Sequence, residues 1–332
     1  MCAERRGGTQ VESYAIGIDL GGTKIEGALI DRAGAVLAQT RQLTAVEEGV
    51  DAVVGRIAGC IGALMRDAPS VSGIGIGAAG MTDSRRGVVL MASNLKWENV
   101  PLRDLVIERL GAAWAQRVWV DKDTNAAALG EMLYGAGQGA KHLLYVTVGT
   151  GVGGGMVLDG RLYHGATEGA SDIGHLVLEP EGEVCGCGKR GCLETLASGP
   201  AIARAAHAAL ERGESSALVA LGQDGLSAVE VVEAARAGDA LARSVLARAG
   251  RYLGIALAYY VDLNNPECII IGGGVSAAGN LLVEPARQAV AERALANNAK
   301  AAQIVLAGLG SESGAVGAAA LVWHGLQAQG ES

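Results

Sequence analysis

Residues 14–31 read YAIGIDLGGTKIEGALID, and the reading of this stretch decides the fold. An alternating strand leads into a turn of Gly21, Gly22 and Thr23, and a second alternating strand ends in Asp31. Together they describe a β-hairpin closed by glycines. Residues 143–160, LLYVTVGTGVGGGMVLDG, follow the same plan. At an offset of 128 residues Gly21 falls on Gly149, Gly27 on Gly155 and Asp31 on Asp159. The match is short, so coincidence between two hairpins stays open, but duplication is the preferred reading: two halves, each opening with a glycine-turn hairpin.

Strand and helix signals alternate around these hairpins. SGIGIGAAG (72–80) and ECIIIGGGV (267–275) are buried-strand runs that end in glycine turns. LRDLVIERLG (102–111) and LVEPARQAVAERALANN (282–298) have helical periodicity, and SAVEVVEAARAG (227–238) starts with Ser227 three residues before Glu230, the spacing of a capping box. The pattern predicts an α/β chain in two lobes. The expected division is a tail over 1–13, an N-terminal lobe of 14–122 plus a returning helix near 313–329, and a C-terminal lobe of 123–312.

The chain has 332 residues, half of them hydrophobic, enough for a sizeable core. Phe is absent, so Ala, Val, Leu and Ile must fill that core. No secretory signal and no uncharged apolar run of membrane-spanning length is present, and the expected compartment is the cytoplasm. The net charge of −8 lacks the basic face of a nucleic-acid binder. In a reducing compartment six cysteines do not form a disulfide framework, so any cluster among them points to metal or catalysis.

Such a cluster exists. His175, Cys185, Cys187 and Cys192 are spaced His-x9-Cys-x-Cys-x4-Cys, with glycines at 186, 188 and 191 for the sharp turns between them. One imidazole and three thiolates suit tetrahedral zinc, and four protein ligands leave no open position for an activated water. The expected ion is structural. It would hold a loop that carries the acidic residues Asp172 and Glu194, which can accept hydrogen bonds from hydroxyl groups.

DLGGTK (19–24) and GTGVGGG (149–155) are turns whose backbone N–H groups can converge on an anion, and IGGG (271–274) follows a third strand. Neither hairpin is a Walker loop or a dinucleotide fingerprint. As a set they favour a nucleotide, with Asp19, Gly21, Gly22, Thr23, Lys24, Gly149, Thr150, Gly151, Gly273 and Gly274 at its site. Asp19 is read as the end of the first strand, where its carboxylate is expected to face Mg²⁺ through water; the alternative is a turn Asp bonding its own backbone.

DLGGTK, GIGAAG, DTNAAALGE, GTGVGGG, HLVLEPEGEVCGCGKRGCLE and IGGGV occur in the order found in the ROK family of bacterial sugar kinases and repressors, and the chain resembles its glucokinases most. The likeness runs from about Ile16 to Leu321. It implies a two-lobed actin-like (ribonuclease H-like) ATPase fold with a structural zinc loop, acting on ATP and a hexose, most simply glucose, as a homodimer or homotetramer. The resemblance makes Asp123 the general base towards the sugar 6-hydroxyl; capping the following helix is its bland alternative. It assigns Gly80, Asn94, Lys122, Asp172, His175 and Glu194, with Asp123, to the sugar.

The chain departs from the family pattern at two places. Lys122 stands where Asn commonly precedes the base, and SDIGH stands for GEIGH, with Asp172 for Glu. Lys122 is expected to donate to a hydroxyl, to lower the pKa of Asp123 or to pair with Asp172; the alternative is that it points to solvent. N-acetylmannosamine, N-acetylglucosamine, fructose or an amino sugar could replace glucose, and polyphosphate could replace ATP. A noncatalytic sugar sensor and a repressor are the rivals from other classes. Asp123 and both turns argue against the first, and a tail of 13 residues is too short for the second's helix-turn-helix.

Overall fold

The computed structural model describes residues 13–66, 68, 70–221 and 225–330, so the expected tail lies outside the described residues except for Ser13. Two compact units emerge, one reaching Asp121 and resuming at Ala318, the other spanning Lys122–Gly317.

The first unit opens with β1 (Tyr14–Leu20), β2 (Lys24–Ile30) and β3 (Val36–Leu43), followed by α1 (Val50–Met65) and β4 (Val71–Ala78). A small antiparallel sheet of β5 (Met81–Asp83), β6 (Val88–Ala92) and β7 (Trp97–Val100) precedes α2 (Leu102–Leu110) and β8 (Val118–Lys122), whose last residue belongs to the second unit. The main sheet has the order β3-β2-β1-β4-β8. Its core is branched and aliphatic, with Ile16, Ile18, Leu20, Ile25, Ile57, Ile61, Ile74 and Ile76 fully buried.

In the second unit α3 (Asp123–Tyr134) leads into β9 (Leu143–Val148), β10 (Val152–Leu158) and β11 (Arg161–Leu162). Five helices follow the cysteine loop and flank a further strand: α4 (Leu193–Ala197), α5 (Gly199–Glu211), α6 (Ala228–Ala237), α7 (Ala240–Asn264), β12 (Cys268–Gly272) and α8 (Asn280–Arg293). The chain then runs through α9 (Ala296–Ala301) and β13 (Gln303–Leu306) to α10 (Ser313–Gly330), which the unit boundary divides after Gly317. Here the sheet order is β11-β10-β9-β12-β13.

The two orders are the same plan. In each unit an antiparallel hairpin sits in the middle, its second strand extended by a third, its first strand paired in parallel with the next strand after a crossover. The turns differ by one residue: Leu20 pairs with Ile25 around the four residues Gly21–Lys24, and Val148 pairs with Val152 around the three residues Gly149–Gly151. The likeness first read from three glycine and aspartate matches thus extends to whole sheets.

Strand alternation sorts the second core into two faces. Leu144, Val146, Val148, Ile269 and Ile271 meet α5–α8, while Leu143, Tyr145, Val157 and Ile270 meet Ala127 and Ala128 of α3. Close approach explains part of the glycine content. A Cβ on Gly75 would stand 1.7 Å from the Ala318 carbonyl oxygen, and one on Gly130 would stand 2.7 Å from the Cα of Gly317.

Three sequence expectations shift in detail. The helix expected through 282–298 breaks at Ala294, where ψ of 160° is extended, so α8 and α9 are separate. Asp19 is the penultimate residue of β1, which Leu20 ends. The helix cap before α3 is Lys122, with Asp123 already the first helical residue; its Oδ1 accepts from the Thr124 N–H at 2.7 Å and caps nothing further along. The capping box holds as expected: Ser227 accepts from the Val229 N–H and Glu230 accepts from the Ser227 N–H, and Gly238 ends α6 at φ 103°. Among the described residues no helix is long and apolar enough to cross a membrane.

Candidate functional site

The residues singled out by sequence fall into two sets, one per unit. In the first unit Gly21 donates its N–H to the Lys24 carbonyl at 3.0 Å, and a Cβ on Gly22 would overlap Asn94, 2.7 Å from its carbonyl oxygen. Gly80 turns at φ 104° with no room for a side chain, because a Cβ would lie 2.4 Å from the Met91 carbonyl oxygen. The first glycine turn, Gly80 and Asn94 therefore occupy one corner of that unit, joined by the Ala79 N–H to the Leu20 carbonyl. Lys24 is paired there with Glu26 at 2.6 Å.

The second unit holds the chemistry. Lys122 donates to Asp172, and Asp123 follows at the start of α3. Burial pushes the Asp123 carboxyl above the ordinary 3.8; the Lys122 ammonium and the Thr124 N–H oppose that rise, and Asp172 adds a smaller push upward. The start of α3 lies flat on the second glycine hairpin, since a Cβ on Gly155 would come within 2.3 Å of the Thr124 carbonyl oxygen. Beside it the Ser171 carbonyl crosses Gly154, where a Cβ would stand 2.5 Å away. Glycines at 153–155 thus do more than allow a turn: they let the loop bearing Asp172 and the helix bearing Asp123 reach the same strand.

Glu194 has a role that the sequence did not suggest. Its Oε2 accepts from the Val152 N–H at 3.1 Å and would stand 2.5 Å from a Cβ on Gly151. The carboxylate therefore braces the Gly149–Gly151 turn, and Gly151 is required for its approach. The Gly149 carbonyl in turn accepts from the Gly199 N–H at 2.7 Å, tying the turn to the start of α5.

A cleft of about 570 Å³ opens beside this turn. Gly149 and Thr150 form one wall, Gly274 and Val275 another, and Pro200, Leu226, Val229 and Arg236 complete it. Gly273 is held against β9, where a Cβ would meet the Val148 carbonyl oxygen at 2.4 Å. The α5 and α6 residues of this wall were invisible in the sequence, where they carry no motif and only the Ser227 capping box marked the segment.

The side chains of His175, Cys185, Cys187 and Cys192 bring four ligand atoms within 4.8 Å of one another. The Cys185 sulfur lies 3.7 Å from His175 Nδ1, and the Cys187 and Cys192 sulfurs are 3.7 Å apart, too far for a disulfide. A tetrahedron with Zn–S bonds of about 2.3 Å has S–S edges of about 3.8 Å, so the spacing and the donor set fit zinc. Burial first, then the neighbouring Cys187 and Cys185, push the Cys192 thiol up to about 12. A cation is what such crowded sulfurs need to ionise together. Backbone strain is absorbed by glycine here: Gly191 has φ 64° and touches Glu179, whose side chain is anchored by the Tyr252 hydroxyl of α7.

Comparison with known proteins shows what the chain as a whole is similar to. The sequence model of the ROK family matches residues 15–324. A glucokinase of Halalkalibacterium halodurans is 39% identical over 318 residues, 94% of this chain and 95% of that protein. The crystal structure of a ROK family glucokinase from Streptomyces griseus, in complex with glucose and AMPPNP, is 36% identical, with a TM-score of 0.82 over 94% of this chain and 99% of the other. A ROK family transcriptional regulator, a homologue of the E. coli MLC protein, is 30% identical, with a TM-score of 0.86 over 95% of this chain and 79% of the regulator.

Proposed function

The chain belongs to the ROK family, and from that premise we propose that it transfers the γ-phosphoryl group of ATP to the 6-hydroxyl of a hexose, glucose first among them. The fold is the α/β, two-lobed actin-like kind expected. The observation that carries the reading is Asp123: a carboxylate raised in pKa by burial, at the start of a helix that packs on the second glycine hairpin, whose turn borders an apolar cleft. A regulator that only senses sugar has no need of a tuned base.

In this reading Asp123 accepts the proton of the 6-hydroxyl as that oxygen attacks the γ-phosphorus. Backbone N–H groups of the Gly21–Thr23 and Gly149–Gly151 turns face the phosphates, and the cleft of Pro200, Leu226 and Val229 takes the adenine ring. The donor is Mg-ATP, with Asp19 holding the ion's water. Asn94, Gly80, Lys122, Asp172 and His175 address the sugar, and Glu194 serves it through the turn that it braces. Zinc, when bound, supplies no open ligand position and acts by fixing this loop. The protein is cytoplasmic, and it assembles as a homodimer or homotetramer. Apolar exposure at Tyr259, Leu263 and Leu295, at the end of α7 and before α9, supports assembly.

An ADP-release assay with Mg-ATP, run over glucose, mannose, fructose, N-acetylmannosamine, N-acetylglucosamine and glucosamine, tests the proposal. Glucose turnover is expected, with kcat reduced about 10²- to 10⁴-fold in Asp123→Asn. Because the base works deprotonated, kcat/KM rises with pH through an apparent pKa above 3.8. Silence across the panel, or an Asp123→Asn enzyme as active as the parent, would overturn it.

A further inference from the structure

Lys122 is the unusual member of the sugar set. Its side chain is 11% exposed, and its ammonium donates to Oδ1 of Asp172, which is 37% exposed. An ammonium so enclosed is held in place by a compensating anion, and the anion here comes from a loop of quite different sequence position. That loop is bent to deliver it. Ser171 has φ 65°, a left-handed conformation that a side chain rarely adopts, and its buried Oγ has no hydrogen-bond partner among the described residues. The hydroxyl is not what holds the bend, and the product of the bend is the position of Asp172.

The third side is Tyr260 of α7, whose hydroxyl is pushed up to about 12 by burial and then by the Asp172 charge, and so stays neutral. The charged groups gathered at the start of α3 are therefore Lys122, Asp123 and Asp172. Lys122 offsets the negative charge of the two carboxylates beside it, Asp172 by a direct bond and Asp123 through its field. A sugar entering the site meets a net charge of about −1 instead of −2.

We propose that the Lys122–Asp172 pair is one specificity-determining unit, which makes the site favour neutral hexoses over protonated 2-amino hexoses. The inference rests on the kinase reading above and deepens it. A lone pair of carboxylates would attract an ammonium strongly at the intermediate dielectric of such a site. Neutralising one of them removes at least about a tenfold advantage for the cationic sugar. Hydroxyl recognition by Asp172 survives, because a carboxylate that accepts one bond from Lys122 keeps other lone pairs for the substrate.

The test is the ratio of kcat/KM for glucosamine to that for glucose, below the pKa of the amine. Each sugar's Kd is also read by calorimetry, so that the ratio does not depend on turnover. A general folding defect changes both sugars alike and leaves the ratio alone. Lys122→Met is expected to raise the ratio about tenfold and Asp172→Asn to lower it by a similar factor. The double variant returns near the parent, and Lys122→Arg keeps the parent ratio. With 2-deoxyglucose in place of glucosamine, or above the amine's pKa, the charge effect disappears. If the parent handles glucose but the two single variants leave the ratio unchanged, or move it the same way, the pair is not the determinant. If the parent neither binds nor phosphorylates any hexose, the kinase reading fails and takes this inference with it.

Discussion

Replacing Glu131 should cost the second unit more stability than any change at the glycine turns. Glu131 is fully buried in α3, eight residues after the proposed base. Its Oε2 accepts from the Ala136 and Gly308 N–H groups, both at 2.9 Å, and its Oε1 accepts from the Leu309 N–H at 2.9 Å. The Ser313 hydroxyl lies 3.2 Å from Oε1 but 2.8 Å from the Gly310 carbonyl, and with one proton it serves the nearer acceptor better. Three backbone donors therefore depend on this carboxylate. In Glu131→Gln the amide NH₂ is best placed on the Oε1 side, where Ser313 can accept from it. The Leu309 N–H is then orphaned and the other two bonds become neutral. One lost bond to a carboxylate plus two weakened ones amounts to about 3 kcal/mol. In Glu131→Ala all three donors are orphaned beside a cavity, and the loss is about 5 kcal/mol or more. For a unit of this size about 3 kcal/mol lowers Tm by roughly 6–12 °C. Differential scanning calorimetry in the presence of zinc reads the shift. A fall of less than about 2 °C in Glu131→Gln, or equal falls for Gln and Ala, would show that these bonds do not hold α3 to the segment before α10.

Two further outcomes follow from the loop. Zinc should copurify in a ratio of one per chain, and Cys192→Ser, at a fully buried ligand position, should abolish that stoichiometry and lower Tm by several degrees; metal-free protein of unchanged Tm would refute the clamp. Ser171→Gly relieves a φ of 65° without forfeiting any hydrogen bond of the side chain, so chemical denaturation should show a gain of up to about 1 kcal/mol, and a loss would mean that the buried hydroxyl has a partner after all.

What the sequence by itself determined is local in chain distance. Gly21–Thr23 and Gly149–Gly151 announce hairpins because a tight turn between alternating runs has few solutions, and both hairpins are present. His175 and the three cysteines announce a tetrahedral cluster because their glycine-punctuated spacing is that of a folded knuckle, and their ligand atoms do converge. Asp123 was found through a family resemblance. Its neighbours in sequence gave no sign that burial would raise its carboxyl, whereas the pairing of Lys122 with Asp172 was among the expectations and is present.

Tertiary structure alone decided the rest. Glu131 looked like an ordinary helix residue until Gly308 and Leu309, some 177 positions later, presented their N–H groups to it. Glu194 was read as a hydroxyl acceptor, and the fold sets its carboxylate on Val152 through the close approach that Gly151 permits. The walls of the apolar cleft come from α5, α6 and the turn after β12, segments with no shared motif. The physical reason is the same in each case. A turn or a metal knuckle is specified by backbone geometry over a few residues. The partner of a buried charge and the lining of a cleft are specified by which distant segments pack together.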